Sequence, residues 1–241
     1  MLNFILVPFY TNIFEPTEYG YVPLLYAYIA VLNIVFIYGL DSSYLKFAGQ
    51  KENRENPSVF STAFISILVT SLLYVGILIG FGSFWAGAIG LPEQHHDLIL
   101  WSALTLMFDA LANIPFIYLR LHNRPLRFSL NKILFVVVNI ILNILFIVYW
   151  GWGIEAVFIS NAIASLISLL MVLPEVRKSI SLKFDPDLFK RMMKFGLPYL
   201  PAGIAVMFMQ VIDRPIMESL TDSATVGIYQ ANFRLGVFMM L

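Results

Sequence analysis

Three polar side chains stand inside segments that are otherwise apolar enough to span a membrane: Arg234, Asp109 and Asn113. Measured from Thr225, Arg234 lies about 13 Å along a helix, too deep for its side chain to reach a membrane surface comfortably. A charge near the centre of a bilayer costs at least ~2.5–3.5 kcal/mol on insertion scales, so such a residue indicates a site. Its fork of donors suits phosphate or carboxylate. We therefore expect Arg234 to bind an anionic group, or to pair with an acid such as Asp109.

Asp109 and Asn113 share one face of their helix, because residues at i and i+4 are neighbours on a helix surface. A carboxylate facing lipid is unfavourable, so this face should point to the interior of the bundle or to a wet cavity. Two interpretations remain open. The pair makes a buried interhelical hydrogen bond or ion pair, or Asp109 is a proton or cation site or the partner of Arg234.

A stripe of amides lies on the next helix, where Asn131, Asn139 and Asn143 follow each other at spacings that place them on one side. Membrane helices use such amides as interhelical contacts, each worth about 1 kcal/mol or less. Alternatively, the stripe lines a polar cavity and binds sugar hydroxyls. Gln210 is a lone polar residue with the same two interpretations.

The composition requires elements that cross a membrane. The chain is 59% hydrophobic and 12% charged, with a mean hydropathy of +0.80, and its apolar stretches have the length that spans a bilayer. They are continuously apolar, unlike the alternating strands of a membrane barrel. The net charge of zero and the lack of basic patches give no indication of nucleic-acid binding. The chain has no cysteine, and the adjacent His95 and His96 have a poor spacing for metal ligands, so we expect no metal site, no cofactor and no catalytic residues.

We predict an all-α, polytopic membrane protein with about eight transmembrane helices. The predicted spans are residues 1–14, 20–40, 59–82, 98–119, 129–150, 153–173, 194–212 and 225–241. The first is too short to cross a bilayer and the last stops in apolar sequence, so we expect a fragment or a truncated gene model. Residues 1–175 would form a six-helix N-terminal lobe, 176–193 a cytoplasmic amphipathic linker, and 194–241 the first two helices of a second lobe.

Lysine and arginine are concentrated in alternate loops, which places those loops in the cytoplasm. The N-terminus is then cytoplasmic as well. The basic residues on which this orientation rests are Lys46, Lys51, Arg54, Arg120, Arg124, Arg127, Lys132, Arg177, Lys178, Lys183, Lys190, Arg191 and Lys194.

Two segments show a weak internal sequence similarity. In each, a polar turn precedes a glycine and a tyrosine, near Gly20 and near Gly227. If the later spans repeat the first two, the repeats share one orientation in the membrane.

Several short motifs, taken in order, resemble the oligosaccharide flippase family, the O-antigen and polysaccharide translocases of the multidrug/oligosaccharidyl-lipid/polysaccharide exporter superfamily. The motifs are PFYT (8–11), FEPTEYG (14–20), GLD (39–41), Ser43-Tyr44, Leu119-Arg120 with Arg124 and Phe128, FGLP (195–198), IDR (212–214) and VGIY (226–229).

The resemblance implies two six-helix lobes around a central cavity, with a basic residue early in span eight that Arg234 matches. It also implies movement of an undecaprenyl-diphosphate-linked oligosaccharide across the bacterial cytoplasmic (inner) membrane by alternating access. The partners would be that lipid-linked oligosaccharide, membrane lipids and a coupling ion, Na⁺ or H⁺, rather than nucleic acid. The cavity candidates are Arg234, Asp109, Asn113, Asn139, Asn143 and Gln210. The alternatives are a cation-coupled multidrug exporter, a membrane-embedded polysaccharide polymerase and a purely structural subunit.

Overall fold

The computed structural model describes residues 6–50, 56–181 and 183–239, with residues 234–239 described by backbone alone. These residues fold into twelve α-helices, joined by a short 3₁₀ turn at Glu93–His95 and a π-helical segment at Leu145–Tyr149. The helices are α1 (Leu6–Ile13), α2 (Pro16–Ile37), α3 (Leu40–Gly49), α4 (Pro57–Gly80), α5 (Gly82–Ile89), α6 (Asp97–Leu121), α7 (Pro125–Ile144), α8 (Glu155–Ser179), α9 (Pro186–Gly196), α10 (Tyr199–Val211), α11 (Asp213–Leu220) and α12 (Ser223–Met239).

Five helices are long and apolar enough to cross a membrane, namely α2, α4, α6, α7 with its π-helical end, and α8. The pair α9 and α10, bent by 42° at its break, brings the number to six if the pair is counted as one span. The all-α, polytopic membrane architecture predicted from the sequence is thus confirmed. The predicted first and eighth spans correspond to α1 and α12, whose described lengths are 8 and 17 residues.

Proline sets where several helices begin, because its fixed φ and missing N–H suit the first helical position. Pro16, Pro57, Pro125 and Pro186 each open a helix. The start of α7 at Pro125 corrects one expectation: Lys132, placed in a loop from the sequence, lies two turns inside the helix.

Helix α6 is the centre of the packing, with α8, α4, α2, α3 and α7 around it. Its buried face carries small residues, including the fully buried Ala103 and Ala110. Small residues let membrane helices approach closely, since packing replaces the hydrophobic drive that water would supply. Helix α6 therefore contacts the helices of four other predicted spans, α2, α4, α7 and α8.

The α2–α3 break is set by two residues in the left-handed region, Tyr38 (φ 38°) and Gly39 (φ 77°). A Cβ on Gly39 would lie 2.1 Å from the carbonyl oxygen of Gly196, at the end of α9. The Ser43 hydroxyl donates to the Met192 carbonyl at 2.6 Å. The break between α2 and α3 therefore lies against the break between α9 and α10. We call this the α3–α9 contact.

A second backbone contact joins α2 to α12. A Cβ on Gly20 would lie 1.7 Å from the carbonyl oxygen of Ser223, and a Cβ on Gly227 would lie 2.6 Å from that of Pro16. Gly20 thus packs against Ser223, four residues before Gly227, and Gly227 packs against Pro16, four residues before Gly20. A local two-fold axis produces such reciprocal contacts. The two segments are those around Gly20 and Gly227 that are similar in sequence. We call it the α2–α12 crossing.

Candidate functional site: a polar seam, an acidic groove and an apolar cavity

The amides of α7 are used in helix packing. Tyr10 donates to the Asn143 side-chain oxygen at 2.7 Å, and Asn143 Nδ2 donates to the Asn139 carbonyl at 2.7 Å. Asn139 Nδ2 points to the Asn161 side-chain oxygen on α8 at 3.4 Å. All three asparagines are buried. These bonds correspond to the interhelical contacts that were one of the two interpretations of the stripe.

The same interface continues toward the basic loops. Asn131 and Ser168 exchange two hydrogen bonds at 2.9 and 2.6 Å. At its end the buried carboxylate of Glu175 on α8 pairs with Arg127, and Arg124 lies 3.8 Å away. We call the whole row the α7–α8 seam. Asn139 also borders a small cavity of about 140 Å³ beside Tyr10.

A different environment surrounds Asp109 and Asn113, which are both half-buried on α6. Lys132 of α7 interacts electrostatically with Asp109 and lies over the Phe116 ring at 4.2 Å from its centre. The Ser165 hydroxyl of α8 is a hydrogen-bonding neighbour of the Asp109 carboxylate, and the Asn113 side-chain oxygen is buried with no hydrogen-bond partner. We call this set the acidic groove.

Lys132 is the member of this groove that sequence reasoning missed. It was counted among the basic residues that set topology. The signal that could have found it was Pro125, because proline at the first helical position places Lys132 inside the span.

The remaining candidates lie elsewhere. Arg234 belongs to α12, but its side chain lies outside the described residues. Gln210 is exposed on α10, and its backbone carbonyl accepts from Arg214 at 3.0 Å. Arg214 itself is buried and donates through Nε to Gln230 at 2.7 Å. Asp213 accepts from the Tyr229 hydroxyl at 2.7 Å and also lies 3.7 Å from the Arg214 guanidinium.

His95 has a structural environment that the sequence did not indicate. It is buried, and its Nδ1 lies 2.6 Å from the Glu155 carboxylate at the start of α8. This contact ties the α5–α6 connection to α8. Within the described ranges, no group of three or more His, Cys, Asp or Glu residues could hold a metal ion.

A cavity of about 620 Å³ lies between α2, α4, α5, α6 and α10. None of its lining residues is charged, and Asp109, Asn113, Asn139, Asn143 and Gln210 are not among them. The polar cavity expected from the sequence is therefore not this space, which we call the apolar cavity.

Comparison with known proteins identifies the family. Residues 11–240 match the family described as polysaccharide biosynthesis protein. The chain belongs to this family. The resemblance drawn from its sequence motifs is thereby confirmed. No curated protein matches the chain.

Solved structures share the fold at low sequence identity. One is described as an inward-facing conformation of a multidrug resistance MATE family transporter of the MOP superfamily, with a TM-score of 0.70 and 14% identity over 99% of this chain. Another is the MATE transporter VcmN of Vibrio cholerae in its bent form, with a TM-score of 0.65 and 16% identity over 98% of this chain. The chain spans little more than half of each, 58% and 57%.

Proposed function

We propose that this protein translocates a lipid-linked oligosaccharide, carried on undecaprenyl diphosphate, across the bacterial cytoplasmic membrane. One observation carries the proposal: a chain of the polysaccharide biosynthesis family has the fold of MATE transporters. The mechanism would be alternating access, in which two lobes rock about a binding site between them. The N-terminus would be cytoplasmic, in keeping with the distribution of lysine and arginine.

The acidic groove supports a transport role. Unpartnered polar atoms inside a membrane protein are costly unless a ligand or water completes their hydrogen bonds. Asn113 provides such an atom on the same helix face as Asp109, whose carboxylate interacts with Ser165 and with the ammonium of Lys132. In this proposal Asp109 binds the coupling ion, H⁺ or Na⁺, and Arg234 binds the diphosphate. The protein would not be an enzyme.

Multidrug export is the second candidate. The description of the inward-facing MATE structure as multidrug resistance favours it, and so does the apolar, partly aromatic lining of the cavity. A membrane polymerase has no comparable support, since the connections between spanning helices in the described ranges are short.

The test is a gene deletion in the native host, complemented with variants at equal expression. Surface polysaccharide and inner-leaflet lipid-linked intermediates are measured beside drug susceptibility. Arg234→Ala should abolish surface polysaccharide, whereas Arg177→Ala, which alters an exposed arginine at the end of α8, should not. Asp109→Asn should abolish export, with Asp187→Asn on exposed α9 as its matched control.

Three outcomes are decisive. Loss of polysaccharide with accumulated intermediates supports the proposal. Normal polysaccharide with raised drug sensitivity in the deletion strain favours the multidrug exporter. Full activity of Arg234→Ala removes that residue from the site.

A further inference from the structure

The connection between α6 and α7 is a tight turn with basic residues on both sides. Helix α6 ends at Leu121 and α7 begins at Pro125, and Asn123 between them has a left-handed backbone (φ 54°). In the proposed orientation this turn lies at the cytoplasmic surface of the membrane. We call the turn and the two helix ends beside it the basic hairpin, and its basic residues are Arg120, Arg124, Arg127 and Lys132.

Two of these cations have an acidic partner and two do not. The buried carboxylate of Glu175 pairs with Arg127, and Arg124 lies 3.8 Å from the same carboxylate oxygen. Arg120 and Lys132 differ, because no carboxylate in the described ranges lies within ion-pair distance of either. These two cations are therefore the part of the hairpin that can bind an anion.

Two packed aromatic rings support both of these cations. The Arg120 guanidinium lies 5.8 Å from the centre of the Phe128 ring, and the Lys132 ammonium lies 4.2 Å from the centre of the Phe116 ring. The two rings contact each other edge to face, with centres 5.5 Å apart. Aromatic faces attract cations, so the rings hold both charges close enough to repel each other. An anion between the two cations would relieve this repulsion.

The depth of the cations matches the level of lipid headgroups. Arg120 is in the last turn of α6. Lys132 lies about 10 Å along α7 from Pro125, and a lysine stem can carry its ammonium from that depth toward the surface. Even with the carboxylates of Glu175 and Asp109 counted, the four cations of the hairpin leave an excess of positive charge.

The phosphate groups of phospholipids lie at this level, and basic pockets between membrane helices on the cytoplasmic side bind anionic headgroups. The fork of an arginine suits two phosphate oxygens, and a lysine adds a point charge. We propose that the basic hairpin binds the phosphate of an acidic phospholipid through Arg120 and Lys132, with Phe116 and Phe128 holding the two cations in place. The proposal does not depend on which substrate is exported.

The experiment counts the lipids bound to the purified full chain by native mass spectrometry. Phosphatidylglycerol or the zwitterionic phosphatidylcholine is titrated into the detergent. Phosphatidylglycerol should bind first and more tightly. The double variant Arg120→Gln, Lys132→Gln should bind the first phosphatidylglycerol roughly 10–30 times more weakly, as expected for two cations at an anionic surface, and should no longer prefer it to phosphatidylcholine.

Matched variants separate this site from general charge and from folding. Arg177→Gln, Lys178→Gln removes the same charge from the exposed end of α8, and binding should be unchanged. The exchange Arg120→Lys, Lys132→Arg keeps both charges and should keep most of the binding. Without added lipid, the melting temperature of Arg120→Gln, Lys132→Gln should be unchanged or higher, because two like charges no longer repel each other.

Four results would overturn the inference. Equal binding of the two lipids by the unaltered protein would show no anionic site. An equal loss in the α8 variant would show diffuse attraction by the whole basic surface. No loss in Arg120→Gln, Lys132→Gln would show that acids elsewhere in the protein pair with these cations. Displacement of phosphatidylglycerol by an equal or lower concentration of undecaprenyl phosphate or inorganic phosphate would assign the site to another phosphate. Lipid binding is measured without transport, so this inference and the proposed function can fail separately.

Discussion

The α7–α8 seam and the acidic groove both place polar side chains inside the membrane region, but they treat them in opposite ways. In the seam, Asn131 and Ser168 bond to each other and Asn143 bonds to Tyr10. In the groove, Asn113 keeps a buried oxygen without a partner, and the Ser165 hydroxyl of α8 lies at the Asp109 carboxylate. The two regions share α8, so the difference lies in local pairing and not in depth or helix type.

The comparison separates scaffold from site. A polar group whose hydrogen bonds are all made within the protein stabilises helix packing and has nothing to offer a ligand. A polar group left without a partner contributes little to stability and can bind a ligand. Substitutions in the seam should therefore lower stability more than activity, whereas substitutions in the groove should lower activity more than stability.

The largest loss of stability is expected for Asn143→Ala. This side chain accepts from Tyr10 of α1 and donates within α7 to Asn139, and an interhelical hydrogen bond is worth about 0.6 kcal/mol, up to about 1.7. We expect the free energy of unfolding in detergent to fall by about 1–2 kcal/mol. Asn232→Ala, which alters an exposed amide of α12, should cost less. Equal effects would show that the seam does not stabilise the bundle.

Two serines of α8 give the sharpest contrast. Ser168→Ala removes the hydroxyl bonded to Asn131 at 2.6 Å, and we expect a loss of about 0.6 kcal/mol. Ser160→Ala removes a fully buried hydroxyl of the same helix that has no partner and should be neutral or stabilising. Chemical unfolding of both variants under one set of conditions measures the difference. A larger loss for Ser160→Ala would place it in a contact of its own.

Asp109→Asn should leave the thermal stability unchanged or slightly higher. The carboxylate is half-buried, and no basic group among the described residues lies within ion-pair distance of it. Removing its charge relieves a desolvation cost, and the side-chain oxygen of asparagine can still accept a hydrogen bond from Ser165. A thermal shift assay beside the export assay tests this, and a large drop in melting temperature would assign Asp109 to the scaffold.

The smallest effect is expected at Glu218 on α11, outside the spanning helices. Burial, followed by repulsion from Asp222, raises the pKa of Glu218 above its usual value of 4.5. An acid with a raised folded-state pKa destabilises the fold as pH rises above the unfolded-state value. Glu218→Gln should therefore unfold at a slightly higher temperature at pH 7 and at an equal temperature at pH 4. If Glu218→Gln shifts the unfolding temperature equally at pH 7 and at pH 4, ionisation of Glu218 does not destabilise the fold.

The sequence located the spanning helices well because hydropathy directly reports the composition that a bilayer selects. The third predicted span, 59–82, corresponds to Pro57–Gly80, and the fourth, 98–119, to Asp97–Leu121. The division into lobes and the roles of Arg234, Gln210 and the other cavity candidates remain predictions.

Other features could not be read from hydropathy. The helices α3 and α11 carry charges and are short, so they resemble loops in composition. The apolar cavity leaves no trace in the sequence, because its lining comes from separate helices and has the same residue types as any membrane-facing surface. The pairing of His95 with Glu155 joins residues far apart in the chain, which a single sequence does not reveal.

The α2–α12 crossing has a consequence for how the protein responds to its surroundings. The closest atoms at Gly20 and Gly227 are main-chain atoms, which carry no ionisable group. Changes in salt concentration or proton concentration therefore have little direct influence on how tightly these two helices are held. If the helices part during a transport cycle, the force must be applied from elsewhere in the protein.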